Sequence, residues 1–130
     1  MIVDITNELL TELKTLLVGT MVVSSYQNNN TKFPIVVVEE IDNYDDEGTK
    51  DSSGYNFCDI SIRVEIYTEG QNRMSAAKAL RNSIDSLFSD THGLRREAQQ
   101  AIPNFSDANV FRYQITYTGL VDKNRTIYGR

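Results

Sequence analysis

The feature that most constrains the fold is a run of strict alternation within residues 55–68, which read YNFCDISIRVEIYT. The apolar positions are Cys58, Ile60, Ile62, Val64 and Ile66, and the polar ones are Asp59, Ser61, Arg63, Glu65 and Tyr67. Because successive side chains of a strand point to opposite faces, a period of two predicts a strand with one face on a core and the other toward water. We therefore expect one long strand that the rest of the chain covers or extends.

Length and charge limit the class of protein. The 130 residues fit one domain, so we expect a single domain over residues 1–130 with a core that needs no disulfide or metal ion. The formal charge of -5 disfavours a broad nucleic-acid-binding surface, because such surfaces are basic. It is compatible with DNA passing an acidic wall that repels it. No apolar run approaches the roughly 18 residues that cross a bilayer. The acidic N-terminus is not a secretory signal, so we expect synthesis in the cytoplasm.

Helical periodicity marks two segments. Residues from about 3 to 18 predict an amphipathic helix, capped by Asp4 or Thr6 and ended near Gly19. Its expected apolar stripe is Ile5, Leu9, Leu13, Leu16 and Leu17. Residues from about 71 to 89 predict a second helix. Its expected stripe is Met74, Ala77, Leu80, Ile84, Leu87 and Phe88.

Two strands are predicted before the long one. Met21–Tyr26 reads as a short strand, and the polar run Gln27–Thr31 reads as a loop. Phe33–Ile41 reads as a strand whose continuous apolar run, Ile35–Val38, predicts burial on both faces. The segment Asp42–Gly54 is rich in acidic residues and glycine, which predicts a long hairpin loop or a mobile arm.

The last third predicts a hairpin. Leu94–Ala101 reads as a polar strand, Pro103–Asp107 as a turn, and Asn109–Val121 as an alternating strand. A short final strand is expected at Thr126–Tyr128. The order of helix, three strands, helix and hairpin is not a βαβ pattern. It predicts an α+β fold with a mainly antiparallel sheet and two helices packed on one face.

Few residues suggest reaction chemistry. His92 is the one histidine, and a Cys-His site would need it near Cys58. Cys58 falls on the apolar face of the long strand, so we expect a small buried side chain there. Asp59 and Glu65 invite a metal-dependent nuclease interpretation, but the lysine that such nucleases carry two residues after the acid is replaced by Tyr67. We expect no catalytic residue, metal site or cofactor.

An acidic cluster in the predicted loop admits two interpretations. Its members are Asp42, Asp45, Asp46, Glu47 and Asp51. Carboxylates of this density can bind calcium or magnesium, but the ligand spacing of an EF-hand loop is missing. The other interpretation is a solvated loop that becomes ordered against a partner.

Aromatic residues on the last long strand also admit two interpretations. Phe111, Tyr113 and Tyr117 share one face of that strand and could stack on bases. Because few basic residues surround them, packing in the core or at a subunit interface is favoured.

The C-terminal hairpin resembles the end of small phage proteins of the tail-terminator type, often called tail completion or minor capsid proteins. The matching pieces are Gly93–Arg96, Ile102-Pro103-Asn104, Asp107-Ala108-Asn109, Phe111-Arg112, Gln114–Tyr117, Gly119–Asp122 and Thr126-Ile127-Tyr128. The order of elements agrees along most of the chain. The first fifty residues match in pattern alone.

The resemblance implies a structural protein of the virion. Such subunits form a hexameric ring on the head-proximal end of the tail tube, stop its polymerisation and meet the head connector or stopper. DNA crosses the lumen without specific binding. We further expect the loop with Asp42, Asp45, Asp46, Glu47 and Asp51 to contact a tail or head partner. The alternative within this resemblance is a head-completion or stopper protein at the same junction.

Overall fold

The structure is a computed structural model, and it describes residues 2–26, 32–103 and 109–129. The predicted loop Gln27–Thr31 and most of the predicted turn Pro103–Asp107 lie outside the described residues. The helices are α1 (Thr6–Leu16) and α2 (Arg73–Asp85), and the strands are β1 (Met21–Val23), β2 (Ile35–Asp45), β3 (Phe57–Glu69), β4 (Arg95–Ile102), β5 (Val110–Asp122) and β6 (Ile127–Tyr128). The predicted α+β class is confirmed.

One sheet carries all these strands. Its order is β1-β2-β3-β5-β4, and β6 pairs with the end of β5. Every neighbouring pair is antiparallel except β1 and β2, which are parallel. The alternating segment identified in the sequence is β3, and it lies at the centre with β2 and β5 on either side.

The helices pack on one face of this sheet, as predicted. Leu9 and Leu13 of α1 and Ala77 and Ile84 of α2 share one core with the apolar face of β3. Apolar side chains of β2 and β5 complete that core, among them Val36, Val38, Tyr113, Ile115, Tyr117 and Val121. We call the opposite side of the sheet the helix-free face.

The helix-free face has a small apolar cluster of its own. It contains Ile35, Val37, Tyr67 and Val110, covered by Met21, Val23, Tyr26 and Phe33. Residues 35 to 38 therefore alternate between the two clusters, and all four are buried. The prediction that this run is buried on both faces is confirmed.

Strand β2 is longer than predicted. Its register on β3 shifts between Glu40 and Asp42, so Ile41 forms a β-bulge. After the bulge the pairing continues to Asp45, opposite Cys58. The prediction that a loop begins at Asp42 is wrong, because backbone pairing with β3 holds these polar residues in the sheet.

The first helix is shorter than predicted, and its N-cap is Ile5, which makes no side-chain cap hydrogen bond, so the prediction of Asp4 or Thr6 at that position is wrong. The Asp4 carboxylate accepts a hydrogen bond from the Thr6 amide at 2.8 Å. Gly19 has φ +89°, the left-handed conformation expected after a helix end. The prediction of Leu16 on the apolar stripe is wrong, because Leu16 is 51% exposed, whereas Leu10 is buried.

The second helix changes its winding at its end. After Asp85 the chain continues as a π-helical segment, Ser86–Thr91, which Gly93 ends with φ +77°. Phe88, within this segment, is fully buried. The placement of Met74 on the buried stripe is wrong, since Met74 lies in the first turn and is 54% exposed.

Candidate functional site

The helix-free face carries four charged side chains on three adjacent strands, which we call the charged network: Glu39, Arg63, Glu65 and Arg112. Arg112 on β5 donates two hydrogen bonds to Glu65 on β3, from Nε to Oε2 at 2.9 Å and from Nη2 to Oε1 at 2.8 Å. Arg63 lies 3.5 Å from the same carboxylate and donates from Nε to Glu39 at 2.9 Å. The two negative charges of the carboxylates therefore compensate the two positive charges of the guanidinium groups.

Aromatic rings cover the inner part of this network. The Tyr67 hydroxyl donates to Glu65, and the Tyr67 ring stacks on Tyr26 with centroids 4.3 Å apart. The Arg112 guanidinium lies 5.7 Å from the centre of the Tyr67 ring. These contacts leave Glu65 only 5% exposed. The prediction that Glu65 and Tyr67 face water is therefore wrong.

Electrostatics make Glu65 an anion. Burial alone would raise the pKa of Glu65, but hydrogen bonds from Arg112 and Tyr67 and the nearby guanidinium charges hold it below its ordinary value. Burial raises the pKa of Tyr67, and its hydrogen bond to Glu65 adds to the effect. A carboxylate held ionised by several donors is a weak proton acceptor, so this geometry suits a structural ion pair.

The two acids of the nuclease interpretation are far apart. Asp59 is also buried on the helix-free face, opposite Tyr44 and Leu120. Six residues along a strand correspond to about 20 Å at about 3.3 Å per residue. One metal ion therefore does not reach both Asp59 and Glu65.

The acidic cluster does not form one loop. Asp42 and Asp45 lie in β2, Asp46 is buried, and Glu47 begins a short 3₁₀ helix, Glu47–Thr49. Asp51 lies beyond that helix in a tight turn. The expectation of one solvated loop is wrong for Asp45 and Asp46, whose exposure the sheet and the 3₁₀ helix reduce.

Hydrogen bonds hold the connection between β2 and β3. The Asp46 amide donates to the Phe57 carbonyl at 2.9 Å, and the Asn56 side chain donates to the Thr49 carbonyl at 2.6 Å. Asp51 accepts from the amide and the hydroxyl of Ser53. The hydrogen bonds from the Ser53 hydroxyl and amide lower the pKa of Asp51. Within the residues that the structure describes, no three His, Cys, Asp or Glu side chains are placed to hold a metal ion.

His92 and Cys58 have separate surroundings. His92 Nε2 contacts the Glu12 carboxylate of α1, which ties the end of the π-helical segment to the first helix. Cys58 is fully buried in the main core, as predicted. The partner of His92 is thus the Glu12 carboxylate on the surface of α1.

The aromatic residues of β5 belong to the core. Tyr117 is fully buried and donates to Asp85 at 2.8 Å, while Tyr113 is buried and donates to Gln99 at 2.9 Å. Burial raises the pKa of Tyr117, as does its bond to Asp85. Phe111 is partly buried against the same core. Core packing of these rings, favoured from the sequence, is confirmed.

Strand β4 forms one edge of the sheet. Among the residues that the structure describes it pairs with β5 alone, and its side chains are exposed from Arg95 to Ala101. Its first residues carry charges and a bulge between Arg96 and Ala98. The last five residues, Ala98–Ile102, have no charge, lysine or proline. The charges and the bulge that commonly prevent pairing with another strand are therefore confined to the first part of β4.

The other edge of the sheet forms a groove. Strand β1 lies at this edge, and the groove beside it is lined by Asn7, Leu10 and Lys14 of α1 and by residues 21 to 25. A strand edge beside a helix is the geometry at which extended segments add to a sheet. Sequence reasoning identified both strands but missed this groove, because no residue pattern places α1 beside β1.

The sequence matches no protein-family model and no curated protein. The function is therefore argued from the geometry and from the resemblance of the C-terminal hairpin.

The charged network satisfies its own groups, and the sheet ends in two edges of different shape. Among the described residues, no helix is long and apolar enough to span a membrane.

Proposed function

We propose that this chain is a structural subunit that assembles with copies of itself into a ring, in the manner of a phage tail terminator. The observation that carries the proposal is β4. Eight residues form an edge strand whose side chains are almost all exposed, so the core contributes little to its order. A partner strand on its free edge would complete its hydrogen bonding.

Fold and resemblance support the same proposal. The C-terminal hairpin that resembles tail terminators is β4 and β5, and β5 lies between β3 and β4 in the sheet. The α+β architecture is the one that the resemblance implies. Two unlike edges suit a ring, because a ring joins one patch of each copy to a different patch of the next.

The proposed ring lies in the virion, at the head-proximal end of the tail. It caps the tail tube, stops polymerisation of the tube protein and meets the head connector or stopper protein. The subunit is made in the host cytoplasm and needs no membrane. DNA passes through the lumen without specific binding, which agrees with a formal charge of -5 per subunit.

The connection between β2 and β3 is the proposed contact with a tail or head partner. Glu47 and Asp51 are exposed there, and Asp42 is exposed at the strand that leads to it. The internal hydrogen bonds of Asn56 and Asp51 hold this connection in shape before any partner binds. A preformed contact loses less conformational entropy on binding.

The test is the mass of the purified protein over a range of concentrations. Light scattering after gel filtration should show a species of about six times the 14.8 kDa of one chain. Negative-stain images of that species should show rings with a central hole. A monomer at every concentration, with no rings in the images, would contradict the proposal.

A further inference from the structure

The start of α1 and the bulge of β2 bring four oxygen-bearing side chains together: Asp4, Thr6, Glu40 and Asn43. We propose that these side chains form a weak site for a divalent cation, with calcium as its preferred ion. The site is independent of the proposed ring and lies on the helix side of the sheet. Because it combines two carboxylates with two neutral oxygens, it differs from a cluster of three acidic, histidine or cysteine side chains.

The bulge at Ile41 puts Glu40 and Asn43 on one face of β2. Their partners on β3, Ile62 and Ile60, both belong to the core beneath the helices. In a regular strand, residues three apart point to opposite faces, and the extra residue of a bulge removes that difference. Asn43 Nδ2 donates to Glu40 Oε2 at 3.2 Å, so the two side chains meet. Bulges are common next to functional sites because they redirect side chains in this way.

The chain before α1 is fastened to this pair. Asn43 Nδ2 also donates to the Val3 carbonyl at 3.0 Å, and the Thr6 amide donates to Asp4 Oδ1 at 2.8 Å. Thr6 contributes most to the lowered pKa of Asp4, and the Glu40 carboxyl lowers it further. Burial raises the pKa of Glu40, and the nearby Asp4 carboxyl adds to that effect. The four side chains therefore lie in succession, from Thr6 through Asp4 and Glu40 to Asn43.

Two oxygen atoms of this cluster indicate a ligand. Thr6 is only 9% exposed, and its hydroxyl lies close enough to Asp4 to lower the pKa of that carboxyl. Within the described residues, the hydroxyl oxygen nevertheless forms no hydrogen bond, and neither does the buried Oδ1 of Asn43. Buried polar atoms without a partner are rare in folded proteins, and a bound ion is one of the explanations for them. A cation beside the carboxylates would satisfy both atoms.

The chemistry of the donors is that of a hard cation. Carboxylate, amide and hydroxyl oxygens suit calcium and magnesium, and water would supply the other ligands. Among the described residues, no basic side chain forms an ion pair with Asp4 or Glu40. The nearby Arg125 donates instead to the Asp4 carbonyl and to Glu8. Both carboxylates of the site are thus available to an ion.

The geometry favours calcium over magnesium. The donors come from two separate segments of the chain, and calcium accepts irregular ligand positions, whereas magnesium demands a near-ideal octahedron. Asp4 and Glu40 are exposed, so an ion can enter from the solvent. With only two carboxylates, we expect a dissociation constant of about 10⁻⁴ to 10⁻³ M.

The test is calorimetric titration of the native protein with calcium chloride, which should show one ion per chain and weaker binding of magnesium. Asp4→Asn and Glu40→Gln keep the size of each side chain and remove one charge. Each should weaken calcium binding about tenfold, because affinity depends on the number of charged ligands. The matched control is Glu97→Gln, which should leave the affinity unchanged. Glu97 is an exposed carboxylate on β4, three strands away from β2.

Thr6→Val distinguishes an ion site from a cluster that serves the fold alone. It replaces the hydroxyl by a methyl group, so it should weaken calcium binding several-fold. The free energy of unfolding without calcium should not fall, because the hydroxyl forms no hydrogen bond there. Since this variant alters no charge, it remains a test if a carboxylate variant fails to fold.

Three outcomes overturn the proposal. No calcium binding up to about 10 mM means that the two carboxyl groups share a proton and hold no ion. Equal affinity in the wild type, Asp4→Asn and Glu40→Gln places the ion elsewhere on the protein. Equal losses in Glu97→Gln and in the two site variants mean that calcium responds to surface charge alone. The proposed function stands in each case, because its own test is the mass of the assembly.

Discussion

Arg112 holds the Glu65 carboxylate through two hydrogen bonds, of 2.9 and 2.8 Å, across the adjacent strands β5 and β3. Only 7% of the Glu65 side chain is exposed, so this carboxylate has exchanged its water for protein donors. A buried charge is tolerated when it is paired and hydrogen-bonded. The pair therefore links the two central strands on the face that lacks helices.

Removal of one partner should be costly. We expect Arg112→Ala to lower the free energy of unfolding by about 3 kcal/mol, because Glu65 stays buried with fewer donors. The double variant Glu65→Leu/Arg112→Leu should be more stable than Arg112→Ala, since it leaves no unpaired charge. Urea unfolding followed by circular dichroism measures both. Equal stability of the single and double variants would show that the buried charge is not the cause.

Stability should fall in acid through Glu65. The folded state lowers the pKa of this carboxyl, so its contribution is fully present above the ordinary value of 4.5 and is lost as the pH falls through the lowered pKa. Glu65→Gln should be less stable at neutral pH and should show a shallower acid decline. Thermal unfolding at several pH values between about 2 and 7 measures this.

Glu40→Gln is the matched control for that pH dependence. Burial raises the pKa of Glu40, with a smaller contribution from Asp4, so protonation favours the folded state there. Its removal should make the acid decline steeper, the opposite of the effect at Glu65. A parallel shift of both variants would contradict these assignments.

Phe88 in the π-helical segment and Met74 in α2 should respond very differently to truncation. Phe88 is fully buried and lies 5.1 Å from Tyr117 between ring centres, so Phe88→Ala should cost about 4 kcal/mol. Met74 is exposed, so Met74→Ala should change stability by less than about 0.5 kcal/mol. Urea unfolding of the two variants checks the placement of this helix. A large loss at Met74 would contradict it.

The connection between β2 and β3 should open more often when the side-chain amide of Asn56 is removed. Asn56→Ala deletes the hydrogen bond to the Thr49 carbonyl, next to Lys50. We expect trypsin to cleave after Lys50 faster in this variant, because cleavage needs local opening. Ser52→Ala is the control, since Ser52 lies in the same connection and no contact of its side chain is described. Equal cleavage rates in both variants would contradict a preformed connection.

The alternation of strand residues and the periodicity of helix residues were sufficient to predict the order of the helices and strands. The apolar face of β3 and the two-sided burial of Ile35–Val38 follow from local patterns, which depend on the period of a strand. The polar hairpin strand β4 was predicted within one residue of its observed bounds. These features need no knowledge of distant residues.

Other features depend on contacts between distant segments. Glu65 and Tyr67 are buried because Arg112 and Tyr26 reach them from other parts of the chain. Ile41 extends β2 through a bulge, although the residues after it read as a loop. The groove beside β1 depends on where α1 packs. A single sequence shows which face a residue takes, but not what covers that face.

The most direct test of the central claim is the mass of the native assembly, measured by light scattering after gel filtration as concentration rises. The account predicts a species of about six times 14.8 kDa that appears as rings in negative stain. A strict monomer at every concentration would contradict it.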